Sequence, residues 1–226
     1  MVKETPEWEA ELWFYINSGN GKECPLISQC QVKNKDGICL DDLKTQISSL
    51  FVSDIFSRDN YDATLCRKCG RIYELVNKLA LQYLQISGTD HPPVPSHLIS
   101  LIDNSNPIEV RPVPLKKYSG AVWKMSNSWV IHLNTNETRE MQRFTLFHEA
   151  FHILAHSNGT PVFNKMAGTE GTFNEIMADC FSACILIPED WARNIWPEVK
   201  DVKRMAEIFE VPRQTMYIQL KWMGLL

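Results

Sequence analysis

The sequence contains no run of about 18 or more apolar residues, which excludes an ordinary membrane-spanning helix. Its opening, Met1-Val2-Lys3-Glu4-Thr5-Pro6-Glu7, has no apolar segment behind the charged start, so it is not expected to act as a secretory signal. Lys and Arg are not in excess: 23 stand against 27 Asp and Glu, so nothing in the global charge argues for nucleic-acid binding. No internal repeat and no low-complexity tract is present. The seven cysteines are odd in number and follow no export signal, which argues against a disulfide framework. These absences lead to the expectation of a soluble cytoplasmic protein. A hydrophobic content of 44% in 226 residues is that of a folded chain, one large domain or one domain with a small appendage.

The cysteines fall into two groups. Cys24, Cys30, Cys39, Cys66 and Cys69 lie in the first third, and Cys180 and Cys184 stand far from them. Cys66-Arg67-Lys68-Cys69 has the spacing of a tight two-ligand knuckle. Two of Cys24, Cys30 and Cys39 could complete a four-thiolate structural zinc site, although the gap from Cys24 to Cys30 is loose for such a knuckle. Unliganded reduced thiols and a redox switch are the other readings. Residues 1–69 are therefore expected to form a small Cys-rich module that gains folding energy from a metal. Cys180 and Cys184, spaced four apart beside Phe181, read as small core residues.

Residues 70–226 read as mostly helical, with a short β region inside. Leu75, Val76, Leu79, Ala80 and Tyr83 recur at helical spacing, which predicts a helix from Ile72 to about Ile86, with Gly88 behind it as a C-cap. His91-Pro92-Pro93-Val94-Pro95 is a stiff linker, and Ser96 has the chemistry of an N-cap for a short helix. Ile108 to Leu115 alternates, with prolines that suggest an edge strand. Ala121 to Met125 and Trp129 to Leu133 read as strands joined by a turn at Ser126-Asn127-Ser128. Thr138 can cap a helix to about His156, with Phe144, Phe147, Phe151 and Leu154 on its core face. A second helix is expected from Phe173 to about Ile187, stopped by Pro188. Shorter helices are expected over Trp191–Trp196, Val199–Phe209 and Pro212–Met223.

His148-Glu149-Ala150-Phe151-His152 carries the chemistry. Residues four apart share one face of a helix, so both imidazoles can reach one metal ion. Glu149 stands beside them, placed to take a proton from a water on that metal. A zinc site of this kind needs a third protein ligand and an open fourth position. Glu175 can supply it, and Asp179, one turn later, can accept the free N–H of a ligand imidazole. Each has a plainer reading. Thr172-Phe173-Asn174-Glu175 also fits a capping box, and Asp179 could be a solvated charge. His156 continues the histidine face and competes with Glu175 for the third position. His132, His156 and Tyr217 are candidates, by location alone, to steady a developing oxyanion.

The segment Arg143-Phe144-Thr145-Leu146-Phe147-His148-Glu149-Ala150-Phe151-His152 resembles the Arg-Phe-Thr-x-x-His-Glu-x-x-His motif of the ImmA/IrrE metallopeptidases. Glu175-Ile176-Met177-Ala178-Asp179, continued to Pro188, resembles that family's second motif, and Met205 to Leu225 is similar to its helix-turn-helix-like ending. The resemblance covers about residues 70–226. It implies an α+β, zincin-like metallopeptidase core, mostly helical with a small antiparallel sheet. It implies His148, His152 and Glu175 as ligands of a catalytic zinc, Glu149 as acid/base and Asp179 behind the ligands. It also implies a narrow protein substrate such as a transcriptional repressor, and hence a role in transcription regulation. Two positions depart from the family pattern: Phe147 and Phe151 stand where a small residue and a glycine are common, and their bulk could narrow the cleft or alter helix packing. The rival reading is a DNA- or protein-binding regulator with a structural or idle metal site. The last predicted helix carries only Arg213 and Lys221 as basic residues, thin for phosphate contacts, so packing on the core is the preferred role for it.

Overall fold

The computed structural model describes residues 6–18, 67–158 and 173–226. Cys24, Cys30, Cys39 and Cys66 lie outside the described residues, as does the side chain of Cys69, so the expected four-thiolate zinc module gains no support from the fold. The described chain is a helix-rich α+β structure in two compact units. One gathers the described residues among 1–76 and 158–177; the other holds 77–157 and 178–226. Among the described residues no helix is long and apolar enough to cross a membrane.

The first unit contains helix α1 (Glu7–Ser18) and the beginning of helix α2 (Arg67–Ser87). Leu12, Trp13 and Ile16 of α1 and Ile72, Leu75 and Val76 of α2 are buried. The Arg71 guanidinium grips the Glu11 carboxylate with two bonds, Nε to Oε1 at 3.1 Å and Nη2 to Oε2 at 2.7 Å. α2 starts at Arg67, ahead of the predicted Ile72, because the helix extends beyond its apolar stripe. It ends as expected. Gly88 takes φ +68°, and Thr89 N–H returns to the Leu84 carbonyl at 3.1 Å, a left-handed helix stop that glycine adopts without strain.

The second unit is built around a three-stranded sheet of β1 (Ile108–Val113), β2 (Gly120–Lys124) and β3 (Trp129–Asn134), in the order β1-β3-β2. The expected small antiparallel sheet is in fact mixed. β2 and β3 form the antiparallel hairpin, closed by Met125 N–H to the Ser128 carbonyl at 2.8 Å, but β1 lies parallel to β3, from Ile108 beside Trp129 to Val113 beside Asn134. The physical reason lies beyond β1. Residues 114–119 carry the chain over the end of β3, and the buried Asn134 side chain holds them there. Its Oδ1 accepts from Leu115 N at 3.1 Å and Asn136 N at 3.0 Å, and its Nδ2 donates to the Tyr118 carbonyl at 3.0 Å. β3 thereby comes between β1 and β2. The proline-bearing β1 sits at an edge, as the sequence suggested.

Asp103 closes the start of β3. Its carboxylate accepts from Trp129 Nε1 at 2.9 Å, Ser105 N at 2.9 Å, Asn106 N at 3.1 Å and Asn106 Nδ2 at 2.9 Å. Burial pushes its pKa up, but these four donors outweigh burial and hold the carboxyl below its ordinary value. A carboxyl with a depressed folded pKa stabilises the fold above its unfolded pKa of about 3.9, and that contribution is lost as pH falls through the lower folded value. Thermal unfolding between pH 5 and 2 is expected to show a flatter acid limb for Asp103→Ala than for the parent chain; equal acid limbs would assign no such role to Asp103.

The helices of this part are α3 (Arg139–Asn158), α4 (Phe173–Leu186), α5 (Glu189–Val199), α6 (Val202–Phe209) and α7 (Arg213–Trp222). Thr138 caps α3 through Oγ1, which accepts from Met141 N at 3.2 Å. Between Phe144 and Ala155 α3 is buried almost all round. Leu146, Ala150, Ile153 and Ala155 join the expected Phe144, Phe147, Phe151 and Leu154, so it is an interior helix, not a one-faced one. Of α4, Phe173–Met177 belong to the first unit and Ala178–Leu186 to the second. Arg143 joins three segments: Nη2 donates to the Val94 carbonyl at 2.7 Å, Nη1 to Ser96 Oγ at 3.2 Å, and Nε to the Glu210 carbonyl at 3.1 Å. Burial lowers its pKa, partly offset by the Glu210 carboxylate. Ser96 is therefore not the expected N-cap. Its hydroxyl serves Arg143, and the short 3-10 turn Ser96–Leu101 has no side-chain cap.

Candidate metal centre

α3 brings His148 and His152 onto one face, as a four-residue spacing on a helix requires. Their rings meet edge to face with centroids 4.9 Å apart, and the two Nε2 atoms stand 3.1 Å apart. Two nitrogens each about 2.0–2.1 Å from a tetrahedral zinc would stand about 3.3 Å apart, so this spacing is close to the one a shared ion needs.

The other nitrogen of His148 is committed. Its Nδ1 lies 2.8 Å from Asp179 Oδ1. A carboxylate can only accept, so Nδ1 carries the hydrogen, which leaves Nε2, on the side of His152, as the ring nitrogen that can take a metal. Asp179 is thus no freely solvated charge. On α4, Glu175 stands one turn ahead of Asp179, on the same face. One ligand atom from each of His148, His152 and Glu175 falls within 4.8 Å of the others, and among the described residues this is the one group of three or more metal-ligating side chains so gathered. His156 is not part of it. It sits exposed at the end of α3, edge-on to Trp129 at 5.0 Å. The donor set fits zinc: two imidazole nitrogens, one carboxylate oxygen and a carboxylate behind one imidazole. The competing capping-box role for Glu175 needs Thr172, which lies outside the described residues.

Burial sets the electrostatics. His152 is 1% exposed and Glu149 2% exposed, so both lie where water is scarce and charge is weakly screened. His148 and Asp179 are half-buried. The two phenylalanines that depart from the family pattern are core residues. Phe147 and Phe151 are fully buried, and Phe151 meets Phe181 at 5.5 Å. Phe181 in turn meets Tyr83 edge-on at 6.5 Å. Their bulk fills core. Cys184 is buried and Cys180 half-buried. Burial raises the Cys180 thiol well above its ordinary pKa, with Cys184 and Asp179 adding to the rise, so it is a poor thiolate. His132 lies half-buried in the middle of β3, and Tyr217 half-buried on α7.

Sequence reasoning missed Gly120. This buried glycine begins β2 and lies directly against α3: a Cβ placed on it would meet Thr145 Cγ2 at 2.4 Å and Glu149 Oε1 at 3.1 Å. No local pattern could have found it, because the contact joins residues far apart in the chain.

Replacing Asp179 tests the hydrogen bond behind His148. Asp179→Asn keeps an acceptor but removes the charge that favours the metal-bound imidazole. Zinc affinity is expected to fall about 10–100-fold, read by competition with a chromophoric chelator. Unchanged affinity would remove Asp179 from the metal centre.

Residues 105–221, a little more than half of the chain, match the model of the family Peptidase_M78, described as the IrrE N-terminal-like domain. No curated protein matches the chain at a significant level.

Proposed function

The chain belongs to the Peptidase_M78 family of IrrE N-terminal-like domains, and from that premise we propose that it is a zinc-dependent endopeptidase with His148, His152 and Glu175 as metal ligands and Glu149 as catalytic acid/base. The observation that carries the reading is the convergence of the three ligand atoms, with Asp179 orienting His148 from behind.

A bound zinc would supply Lewis acidity to the scissile carbonyl and lower the pKa of a water beside it. The remaining work falls to the chain. Asp179 holds the His148 hydrogen on Nδ1 and so keeps Nε2 available as a ligand atom. Glu149 takes one proton from the attacking water as the carbon–oxygen bond forms. It then gives that proton to the leaving amine nitrogen as the carbon–nitrogen bond breaks. One water is consumed; its second proton leaves with the new carboxyl group and passes to the amine, so one carboxylate and one ammonium group are released. The buried position of Glu149 keeps bulk water from competing for that proton.

The substrate class is a protein. The finer reading, a narrow substrate such as a transcriptional repressor, rests on the family resemblance. The test suits a peptidase with few targets: zinc-loaded protein is incubated with a cell extract, and new protein N-termini are catalogued by mass spectrometry. Termini that arise with the parent chain and not with Glu149→Gln support the reading and name the substrate. Identical termini from both would remove it.

A further inference from the structure

We infer that Gly120 is a positioning residue for Glu149: the missing side chain at the head of β2 lets the strand lie against α3 and fixes where the Glu149 carboxylate sits. The inference takes from the proposed function only the importance of that carboxylate.

Gly120 is buried and pairs with Leu133 of β3 in the antiparallel register. Its backbone is not in the left-handed region, so glycine is not needed for conformation. It is needed for space. Non-bonded carbons settle at about 3.5–4.0 Å. A Cβ here would stand 2.4 Å from Thr145 Cγ2, 3.1 Å from Glu149 Oε1 and 3.1 Å from the His132 carbonyl oxygen. The three neighbours differ in their ability to yield. The carbonyl belongs to β3, the central strand. The Thr145 methyl is on a β-branched side chain, stiff on a helix and 4% exposed. The Glu149 carboxylate is the end of a longer side chain and can give way by rotation. A side chain at Gly120 would therefore be relieved partly by displacing the carboxylate.

Thr145 and Glu149 are four residues apart on α3, so they form one ridge, and Gly120 is the place where β2 rests on it. The strand backbone closes one side of the Glu149 side chain. The motif threonine Thr145 fills the same role one turn earlier. Together they leave Glu149 less freedom than a carboxylate on an open helix face would have.

Two variants separate packing from positioning. Gly120→Ala alone meets the 2.4 Å clash and is expected to lower Tm by roughly 2–10 °C. Gly120→Ala/Thr145→Ser removes the clashing methyl and is expected to recover most of that loss, while the 3.1 Å approach to Glu149 remains. The readout is the side-chain carboxyl resonance of Glu149 in full-length, metal-free protein carrying carbon-13 carboxyl-labelled glutamate. It is identified by its loss in Glu149→Gln and measured at one pH. Gly120→Ala/Thr145→Ser is expected to displace it beyond the linewidth relative to Thr145→Ser. The zinc-loaded double variant is expected to generate new N-termini about tenfold or more slowly than Thr145→Ser. An unmoved resonance, with Tm restored, would overturn the assignment. Because the resonance is read without metal and without hydrolysis, its displacement supports the positioning role even where the peptidase reading fails.

Discussion

Glu149→Gln is expected to keep its metal and its fold and to lose peptide hydrolysis by about 10²–10⁴-fold. At about 1.4 kcal/mol per factor of ten, that is about 3–5 kcal/mol of barrier, assigned to one proton transfer. Gln matches Glu in size and retains a hydrogen-bond acceptor, so the buried slot beneath Gly120 and beside Thr145 stays filled. It cannot accept a proton from water at neutral pH, which is the step assigned to Glu149. The loss should fall on kcat, because the acid/base role operates in the transition state and not in substrate binding. A variant that keeps full hydrolysis would remove Glu149 from the mechanism while leaving the metal centre standing.

The second large effect belongs to the ligands. A metal that binds the folded chain and not the unfolded one raises stability with its free concentration. At about 1,000 times the dissociation constant the gain is about 4 kcal/mol, or about 8–16 °C in Tm for a chain of this size. Zinc is expected to raise the parent Tm in this way, and His148→Ala/His152→Ala should lose the rise. The two Nε2 atoms face each other at 3.1 Å, and His152 is 1% exposed. A cation bridging the two imidazole nitrogens suits that spacing.

Much of the site could be read from local spacing. His148, Glu149 and His152 stand on one helix, and their geometry follows from the helix once Thr138 starts it and the apolar residues bury it. Asp179 follows Glu175 by one turn, so a single helix presents both, and the 2.8 Å bond to His148 is what that spacing makes available. The hairpin turn at residues 126–128 and the Gly88 stop were legible because turn chemistry is local. The rest depended on partners distant in sequence. Parallel pairing of β1 arises from Asn134 gathering Leu115, Tyr118 and Asn136 at the end of β3, which no alternation pattern encodes. Ser96 has the composition of a cap, but Arg143, 47 residues later, takes its hydroxyl. Phe147 and Phe151 looked like obstacles because their sequence neighbours are the histidines of the motif; their burial, with Phe181 against Phe151, comes from packing that the local sequence does not show. Gly120 was invisible for the same reason: its meaning is the space it leaves for α3.

The most direct test of the metal centre is elemental analysis of purified parent protein and His148→Ala/His152→Ala, with circular dichroism to show that both are folded. The expected result is one zinc fewer per chain in the double variant. Equal zinc in the two folded proteins would place the metal elsewhere and contradict the assignment of His148 and His152 as its ligands.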